Sequence, residues 1–302
     1  MIPSVKQIES AFRRVQDTIT TFLTNVGDAP YHEDEWHYER GTGGGITRIW
    51  EGSPVIEKGG VNFSFIRGAS LPQSAATQFR IAEGTPFAAT GVSLVMHPRN
   101  PHVPTIHMNI RYFEAGDAWW FGGGIDLTPY YPVRREVIAF HRALKSICDA
   151  HGEDYAVHKR ACDEYFFIKH RNEMRGVGGV FFDHLRTNRK HNLEFVEALG
   201  IAFPSVYGPF IEANKCRAYT EAQREFQLYR RSRYVEFNLV YDRGTLFGLQ
   251  SGGRIESILM SLPAVAKWRY NWSPEPGTPE AKLSEVYLKP VDWANAVAEG
   301  EE

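Results

Sequence analysis

The strictest pattern in the sequence is an alternation of apolar and polar side chains along residues 105–112. Successive side chains of a β-strand point to opposite faces of its sheet, so the two sets separate completely. The apolar set comprises Ile106, Met108, Ile110 and Tyr112, and the polar set comprises Thr105, His107, Asn109 and Arg111. The segment is therefore predicted to be a strand with a core face and a polar face.

The polar face of this strand combines an imidazole, an amide and a guanidinium at His107, Asn109 and Arg111. Together these groups can protonate, orient and neutralise an anionic ligand. An ordinary solvated sheet face shows the same alternation and is the alternative. The segment at residues 88–97 has a comparable face with Ser93 and His97, so pairing of the two strands would place both histidines on one side of the sheet.

Further β-branched and aromatic runs between turn residues predict strands at residues 46–50, 61–66, 88–97, 117–122, 178–183, 232–242 and 246–249. Helical periodicity covers residues 3–24, 133–175 and 190–230. A regular alternation of strands and helices is missing, and no linker or repeat divides the chain. We therefore predict one α+β domain over residues 1–302 with a large, mainly antiparallel sheet.

The segment at residues 232–242 shows the alternation a third time, and three polar faces side by side would make a floor. Its polar residues are Glu236, Asn238 and Asp242. A carboxylate such as Asp242 at the end of a strand can hold a ring N–H or accept a proton. Strand-end aspartates more often make turn hydrogen bonds, and both interpretations stay open at this point.

Two glycine clusters stand beside charged residues. Residues 122–124 are glycines just before Asp126, and Gly252 and Gly253 precede Arg254. Neither cluster fits a P-loop or a dinucleotide fingerprint. Glycine lets the backbone approach a flat ligand closely, and an arginine beside backbone N–H donors suits a carboxylate, although a plain turn is the alternative.

The charge balance excludes polyanionic partners. The chain has 34 Lys and Arg against 36 Asp and Glu, with a pI near 6.6, so it lacks the positive field that binding to nucleic acid requires.

No apolar run approaches the about 18 residues expected of a membrane span. The cysteines have no disulfide or metal spacing, and no signal-peptide pattern occurs, which favours the cytoplasm. Arginines outnumber lysines by 24 to 10, and arginine suits carboxylate recognition.

Isolated histidines do not by themselves indicate a metal site. His141 falls on an apolar helical stripe and His170 stands near two phenylalanines, where a histidine is more often a core residue with its hydrogen bonds satisfied. No H-E-x-x-H motif occurs. A divalent ion would need folding to bring several imidazoles together.

Six strings spread over most of the chain carry a family resemblance. They stand at residues 91–98, 107–113, 119–130, 169–176, 226–231 and 234–245. Together they resemble the oxygen-dependent coproporphyrinogen III oxidase family, and the resemblance runs from about Trp36 through Ser284.

The resemblance implies a homodimer built on a large, rather flat antiparallel sheet with helices on both faces, and dimerisation through residues 234–269. It implies oxidative decarboxylation of the ring A and B propionates of coproporphyrinogen III to vinyl groups, which gives protoporphyrinogen IX in haem biosynthesis. O₂ is the co-substrate, CO₂ and H₂O₂ are released, and no organic cofactor takes part. A divalent metal is proposed for bacterial members.

By position, the resemblance also implies roles for the candidate residues. His107 matches the proposed proton donor, and Asp126 and Asp242 match candidate catalytic or pyrrole-binding aspartates. Arg111 and Arg254 would meet propionates, with Arg111 clamping the one that departs. The implied substrate contacts are Ser93, Asn109, Ile110, Arg111, Gly252, Gly253 and Arg254. The implied metal-binding histidines are His97, His107, His141 and His170.

Two other functions would use the same residues. A non-catalytic tetrapyrrole carrier would bind its ligand with an aromatic floor and an arginine rim, without O₂ uptake. A non-haem metal oxygenase or hydrolase acting on another aromatic acid would use the histidines with a carboxylate, and its activity would follow its metal content.

Overall fold

The computed structural model describes residues 2–27, 29–71, 76–77, 80–250 and 253–298, apart from the side chains of residues 247 and 250. One antiparallel sheet of seven strands has the order β1-β2-β3-β4-β5-β6-β9, and β7 and β8 form a separate hairpin. The strands are β1 His32–His37, β2 Thr42–Glu51, β3 Ile56–Gly68, β4 Phe87–Pro98, β5 Thr105–Ala115, β6 Ala118–Thr128, β7 Phe167–Ile168, β8 Glu173–Met174 and β9 Gly178–Leu185.

Helices flank this sheet and fill the second half of the chain. They are α1 Val5–Gly27, α2 Arg134–Ala150, α3 Tyr155–Tyr165, α4 Arg189–Ile201, α5 Phe203–Asn214, α6 Glu221–Val240, α7 Arg243–Gln250, α8 Ile255–Leu259 and α9 Pro279–Lys282, followed by a π-helical turn at Leu283–Tyr287. Within the described residues, none of these helices is both long and apolar enough to cross a membrane.

The apolar face of the sheet packs against α1 and α4. Ile8, Phe12 and Val15 of α1 are fully buried, and each such side chain contributes about 1.5–3 kcal/mol through burial. Gly200 of α4 lies so close that an added Cβ would be 2.6 Å from Val15 Cγ1 and 3.2 Å from Ile110 Cδ1. The predicted N-terminal helix and the predicted core face of β5 are therefore confirmed.

The polar face of the sheet is partly covered by α6 and α8. The Asn62 side-chain amide donates to the Ser257 carbonyl at 2.7 Å, which ties β3 to α8. The rings of His97 and Tyr234 meet edge to face with centroids 5.0 Å apart, which joins β4 to α6. Helices thus lie on both faces, and the predicted α+β architecture is confirmed.

The strands predicted at residues 232–242 and 246–249 are wrong, because both segments are helical. A capping box of Thr220 and Gln223 starts α6. Residues 226–234 of α6 are buried without interruption. Of the apolar row expected on a strand, Phe237 is buried while Leu239 is 44% exposed. The alternation at residues 232–242 therefore does not separate a buried face from an exposed one. The helical prediction for residues 133–175 holds only to Tyr165, after which the β7–β8 hairpin follows.

Candidate active site

A row of short polar residues crosses the sheet at right angles to its strands. Adjacent strands pair these residues in register, so their side chains point to the same face. The row consists of Asp34, Thr47, Asn62, Ser93 and Asn109, and Gly124 of β6 ends it without a side chain. With strands about 4.8 Å apart, the row extends about 24 Å. Ser257 of α8 covers its middle by contacting Thr47 and Asn62, so the part that α8 leaves accessible comprises the half-buried Ser93 and Asn109.

Arg111 lies at one side of this row and is held flat against the sheet. Its guanidinium donates to Asn109 Oδ1 and to Asp183 Oδ1, each at 3.0 Å. Gly122 lies beneath it, and a Cβ there would be 2.8 Å from Asp183 Oδ1 and 2.9 Å from Arg111 Nε. The glycine of β6 therefore makes room for the Arg111–Asp183 ion pair, rather than for direct contact with a flat ligand.

His107 is part of a buried hydrogen-bonded series with Asp126 and Arg175. His107 Nδ1 is 2.7 Å from Asp126 Oδ1, and Arg175 donates to both oxygens of Asp126 at 3.0 and 2.9 Å. Burial opposes ionisation of Asp126, but Arg175 and His107 outweigh it and lower the pKa of this carboxyl. An ionised Asp126 keeps a proton on His107 Nδ1, which leaves Nε2 as the ring nitrogen that can exchange a proton with a ligand.

Arg175 itself is enclosed by aromatic rings. Its guanidinium carbon is 4.0 Å from the ring centroid of Phe166, 4.6 Å from that of Tyr234 and 4.7 Å from that of Phe237. Desolvation opposes the charge, yet Asp126 raises the pKa of Arg175 overall. Cation–π contacts and the ion pair therefore keep this cation fixed beneath the site.

Asp242 lies after α6 and starts α7, so it is not at the end of a strand. Its Oδ2 accepts from the backbone N–H and the hydroxyl of Thr245, both at 2.8 Å, and its Oδ1 accepts from the Tyr165 hydroxyl at 2.8 Å. Burial opposes ionisation, but these hydrogen bonds lower the pKa of Asp242. The turn interpretation from the sequence therefore describes the hydrogen bonds of this carboxylate, which is ionised.

The other expected substrate contacts have different surroundings. Ser93 is half-buried in the polar row, whereas the Ile110 side chain is fully buried on the opposite face, so only its backbone belongs to the polar side. Arg254 is paired with Asp34 at the far end of the row and is not an unpaired cation. Gly253 donates its N–H to the Gly248 carbonyl at 2.8 Å. Gly252 lies outside the described residues.

Two of the predicted metal histidines have both ring nitrogens in use. His97 Nδ1 is 3.2 Å from Thr105 Oγ1, and its Nε2 is 2.9 Å from the Ser261 carbonyl. His141 has the same arrangement, with the Tyr155 hydroxyl at 2.8 Å and a backbone carbonyl at 3.1 Å. Because a carbonyl only accepts, each Nε2 carries the proton and each Nδ1 lone pair is taken by a hydroxyl. Neither ring retains a lone pair for a metal ion.

The remaining histidines do not complete a site. His170 is hydrogen-bonded to the Tyr241 hydroxyl and to Glu236, each at 2.8 Å. Across the described residues, no group of three or more His, Cys, Asp or Glu side chains could hold a metal ion. The four histidines therefore do not fit one metal centre within the chain, and we derive no catalytic step through a metal.

Four residues of the site were not assigned from the sequence. They are Tyr165 of α3, Arg175 of the segment before β9, Asp183 of β9 and Arg243 of α7, and they converge only in the folded chain. Tyr165 stacks on Phe181 with ring centroids 4.3 Å apart. The excess of arginine over lysine was consistent with ion pairs of this kind, but no spacing of residues in the sequence indicated which arginines form them.

The site combines an oriented histidine, an ionised carboxylate, arginines and aromatic rings on one side of an antiparallel sheet. This combination is that of an acid–base enzyme for a large anionic ring compound. The family model described as coproporphyrinogen III oxidase matches residues 7–293, and the chain belongs to this family. The chain is 54% identical, over 319 aligned positions, to the oxygen-dependent coproporphyrinogen-III oxidase of Dictyostelium discoideum. The match covers 97% of this chain and 96% of that relative.

Proposed function

We propose that the protein oxidatively decarboxylates the ring A and B propionates of coproporphyrinogen III in haem biosynthesis. For each propionate, the carboxylate leaves as CO₂ and a hydride equivalent passes to O₂, which takes up one proton to give H₂O₂. Two such steps give the two vinyl groups of protoporphyrinogen IX. The observation that carries this proposal is the near full-length match to the family together with the polar row flanked by Arg111, His107 and Asp242.

The substrate is a flexible tetrapyrrole with four propionates, and arginines are suited to its rim. Arg111 and Arg243 flank Asp183 at one side of the row and have exposed fractions of 38% and 59%. Both guanidiniums can therefore donate to the propionate that reacts. The guanidinium carbon of Arg243 is 4.8 Å from the ring centroid of Tyr165, and this cation–π contact orients the Arg243 side chain.

Asp242 and His107 are proposed to handle protons. The ionised Asp242 accepts the pyrrole N–H, which makes the pyrrole electron-rich enough to react directly with O₂. His107, held by Asp126 through its Nδ1–H, donates a proton from Nε2 when the ring is doubly protonated. Nε2 has no hydrogen-bond partner among the described residues. Asp126 is 1% exposed, so it acts by positioning His107 rather than by contacting the pyrrole ring.

The decisive experiment compares aerobic and anaerobic incubation with coproporphyrinogen III, with vinyl product and O₂ uptake both measured. The proposed function predicts vinyl product only with O₂, at one O₂ per vinyl group, and unchanged activity after chelation. Binding without O₂ uptake would establish the carrier function. Activity that follows metal content would establish the metal-dependent oxygenase.

Replacing Arg111 with Ala is expected to lower kcat/KM about 10- to 100-fold, because a hydrogen bond to a charged group contributes about 1.5–3 kcal/mol. Steady-state kinetics with coproporphyrinogen III measures this effect. Arg135→Ala, at an exposed position in the first turn of α2, is the matched control and should retain wild-type kinetics. A value for Arg111→Ala within a factor of about two of wild type would contradict the clamp.

We also propose a homodimer formed through residues 234–269. This segment carries several exposed apolar side chains, and an interface with a second copy of the chain would bury them. They are Leu239, Val240, Leu249, Ile255, Val265 and Trp268, and the fully exposed Tyr270 follows.

Val265→Asp is expected to convert the dimer into a monomer, because a charge in an apolar interface is desolvated without a partner. Light scattering after gel filtration should give twice the 34.3 kDa chain mass for the wild type and one chain mass for the variant. Val157→Asp alters an exposed valine on α3, outside the proposed interface, and should remain dimeric. A monomeric wild type, or a dimeric Val265→Asp variant, would refute this interface.

We propose the cytoplasm as the compartment. All three cysteines are free, and Cys148 and Cys162 are buried as thiols, which suits a reducing environment. Fractionation of the source cells with an antibody to the protein would test this assignment.

A further inference from the structure

A β-bulge in β9 orients the Asp183 side chain. The pairing of β6 with β9 shifts register between Phe121 and Gly123, so that β9 carries one extra residue there. His184 in this bulge has a φ of 54°, in the left-handed region. The His184 backbone N–H donates to Asp183 Oδ1 at 3.1 Å, which fixes the carboxylate on the polar side of the sheet. Bulges commonly re-aim side chains beside functional sites.

The Asp183 carboxylate lies between two arginines from different elements. Its Oδ1 accepts from Arg111 at 3.0 Å, and its Oδ2 is 3.8 Å from the Arg243 guanidinium. Asp183 is 24% exposed, less than either arginine. In the part of the chain that the structure describes, neither arginine has another carboxylate within 4 Å. Asp183 therefore joins the two cations and sets their separation.

The cluster of Arg111, Asp183 and Arg243 carries more positive than negative charge. Its two guanidiniums and one carboxylate sum to +1, whereas Arg254 and Asp34 at the other end of the row form a neutral pair. The ionised Asp242 offsets part of this charge, since Asp242 and Arg243 both hydrogen-bond to the Tyr165 hydroxyl. Without Asp183 the cluster would gain one positive charge and would retain any carboxylate more tightly.

We propose that Asp183 is a positioning residue that spaces Arg111 and Arg243 and limits how tightly they hold a propionate. For one site to treat both propionates, each has to reach the arginines in turn, so the first arginine–carboxylate contacts must break before the second decarboxylation, and the product still carries two propionates. Repulsion from Asp183 speeds this exchange, because like charges a few ångströms apart destabilise the bound state. The inference rests on the proposed function, since it needs a carboxylated substrate in the row.

The test is Asp183→Asn, which keeps an acceptor for Arg111 and removes the charge. We expect product inhibition by protoporphyrinogen IX to become at least about fivefold tighter, with KM and kcat both falling and kcat/KM nearly unchanged. Equilibrium binding of the unreactive coproporphyrin III, followed by fluorescence, should tighten by a similar factor. Asp183→Glu restores the charge and should restore kcat and weaken product binding again.

Asp149→Asn is the matched control. It removes one exposed carboxylate that pairs with Lys145 on α2, and it should leave all constants at wild-type values. Unchanged or weaker binding of coproporphyrin III to Asp183→Asn, with an active wild type, would overturn the role of Asp183 alone. An inactive wild type would instead refute the proposed function. A merely structural role would reduce binding and kcat/KM together and would also overturn the inference.

Discussion

Asp242→Asn is expected to lower kcat about 100-fold or more, because a positioned general base contributes about 10²–10⁴ to the rate. Asparagine retains an oxygen acceptor for Tyr165 or Thr245, so the start of α7 should persist and KM should change little. The lowered pKa of Asp242 means that the wild-type carboxylate is ionised across the neutral range. O₂ uptake and vinyl formation at saturating substrate measure the effect.

Asp154→Asn is the control for this substitution. Asp154 starts α3 as Asp242 starts α7, and it accepts from the backbone N–H groups of Ala156 and Val157. Asparagine is as good an N-cap as aspartate, so this variant should keep wild-type stability and kcat. A kcat of Asp242→Asn within a factor of two of the control would remove Asp242 from the chemistry.

Arg175→Leu is expected to lower the free energy of unfolding by about 3–5 kcal/mol, the usual effect of removing one partner of a buried ion pair. Asp126 would stay buried without its cation, and the aromatic rings of Phe166, Tyr234 and Phe237 would lose their shared contact. Urea denaturation followed by circular dichroism measures the change.

Two comparisons separate burial of the charge from loss of any arginine. Arg14→Leu breaks a surface pair with Glu197 and should cost at most about 1 kcal/mol. The double variant Asp126→Leu with Arg175→Leu removes both charges and should be more stable than Arg175→Leu alone. Equal losses for Arg14→Leu and Arg175→Leu would contradict the buried pair as a source of stability.

The sequence located β5 and its neighbours correctly because one face of each strand is buried and the other is not. Ile106, Met108 and Ile110 are fully buried in the core, so their period of two reflects the packing. At residues 232–242 a similar alternation gave a wrong prediction, because Leu239 is exposed and the segment is part of helix α6. In β5 the alternation of apolar and polar residues matches the burial of the side chains, whereas at residues 232–242 it does not.

The sequence by itself determined the polar face of β5, the family, and the candidate roles of His107, Arg111 and Asp242. Only the tertiary structure decided which groups these residues contact. The Asp126–Arg175 pair joins residues 49 positions apart, and Asp183 reaches Arg111 across 72 positions through a bulge. Charges separated this far along the chain meet only because the sheet and the aromatic rings fix their distances, and no local spacing encodes that geometry.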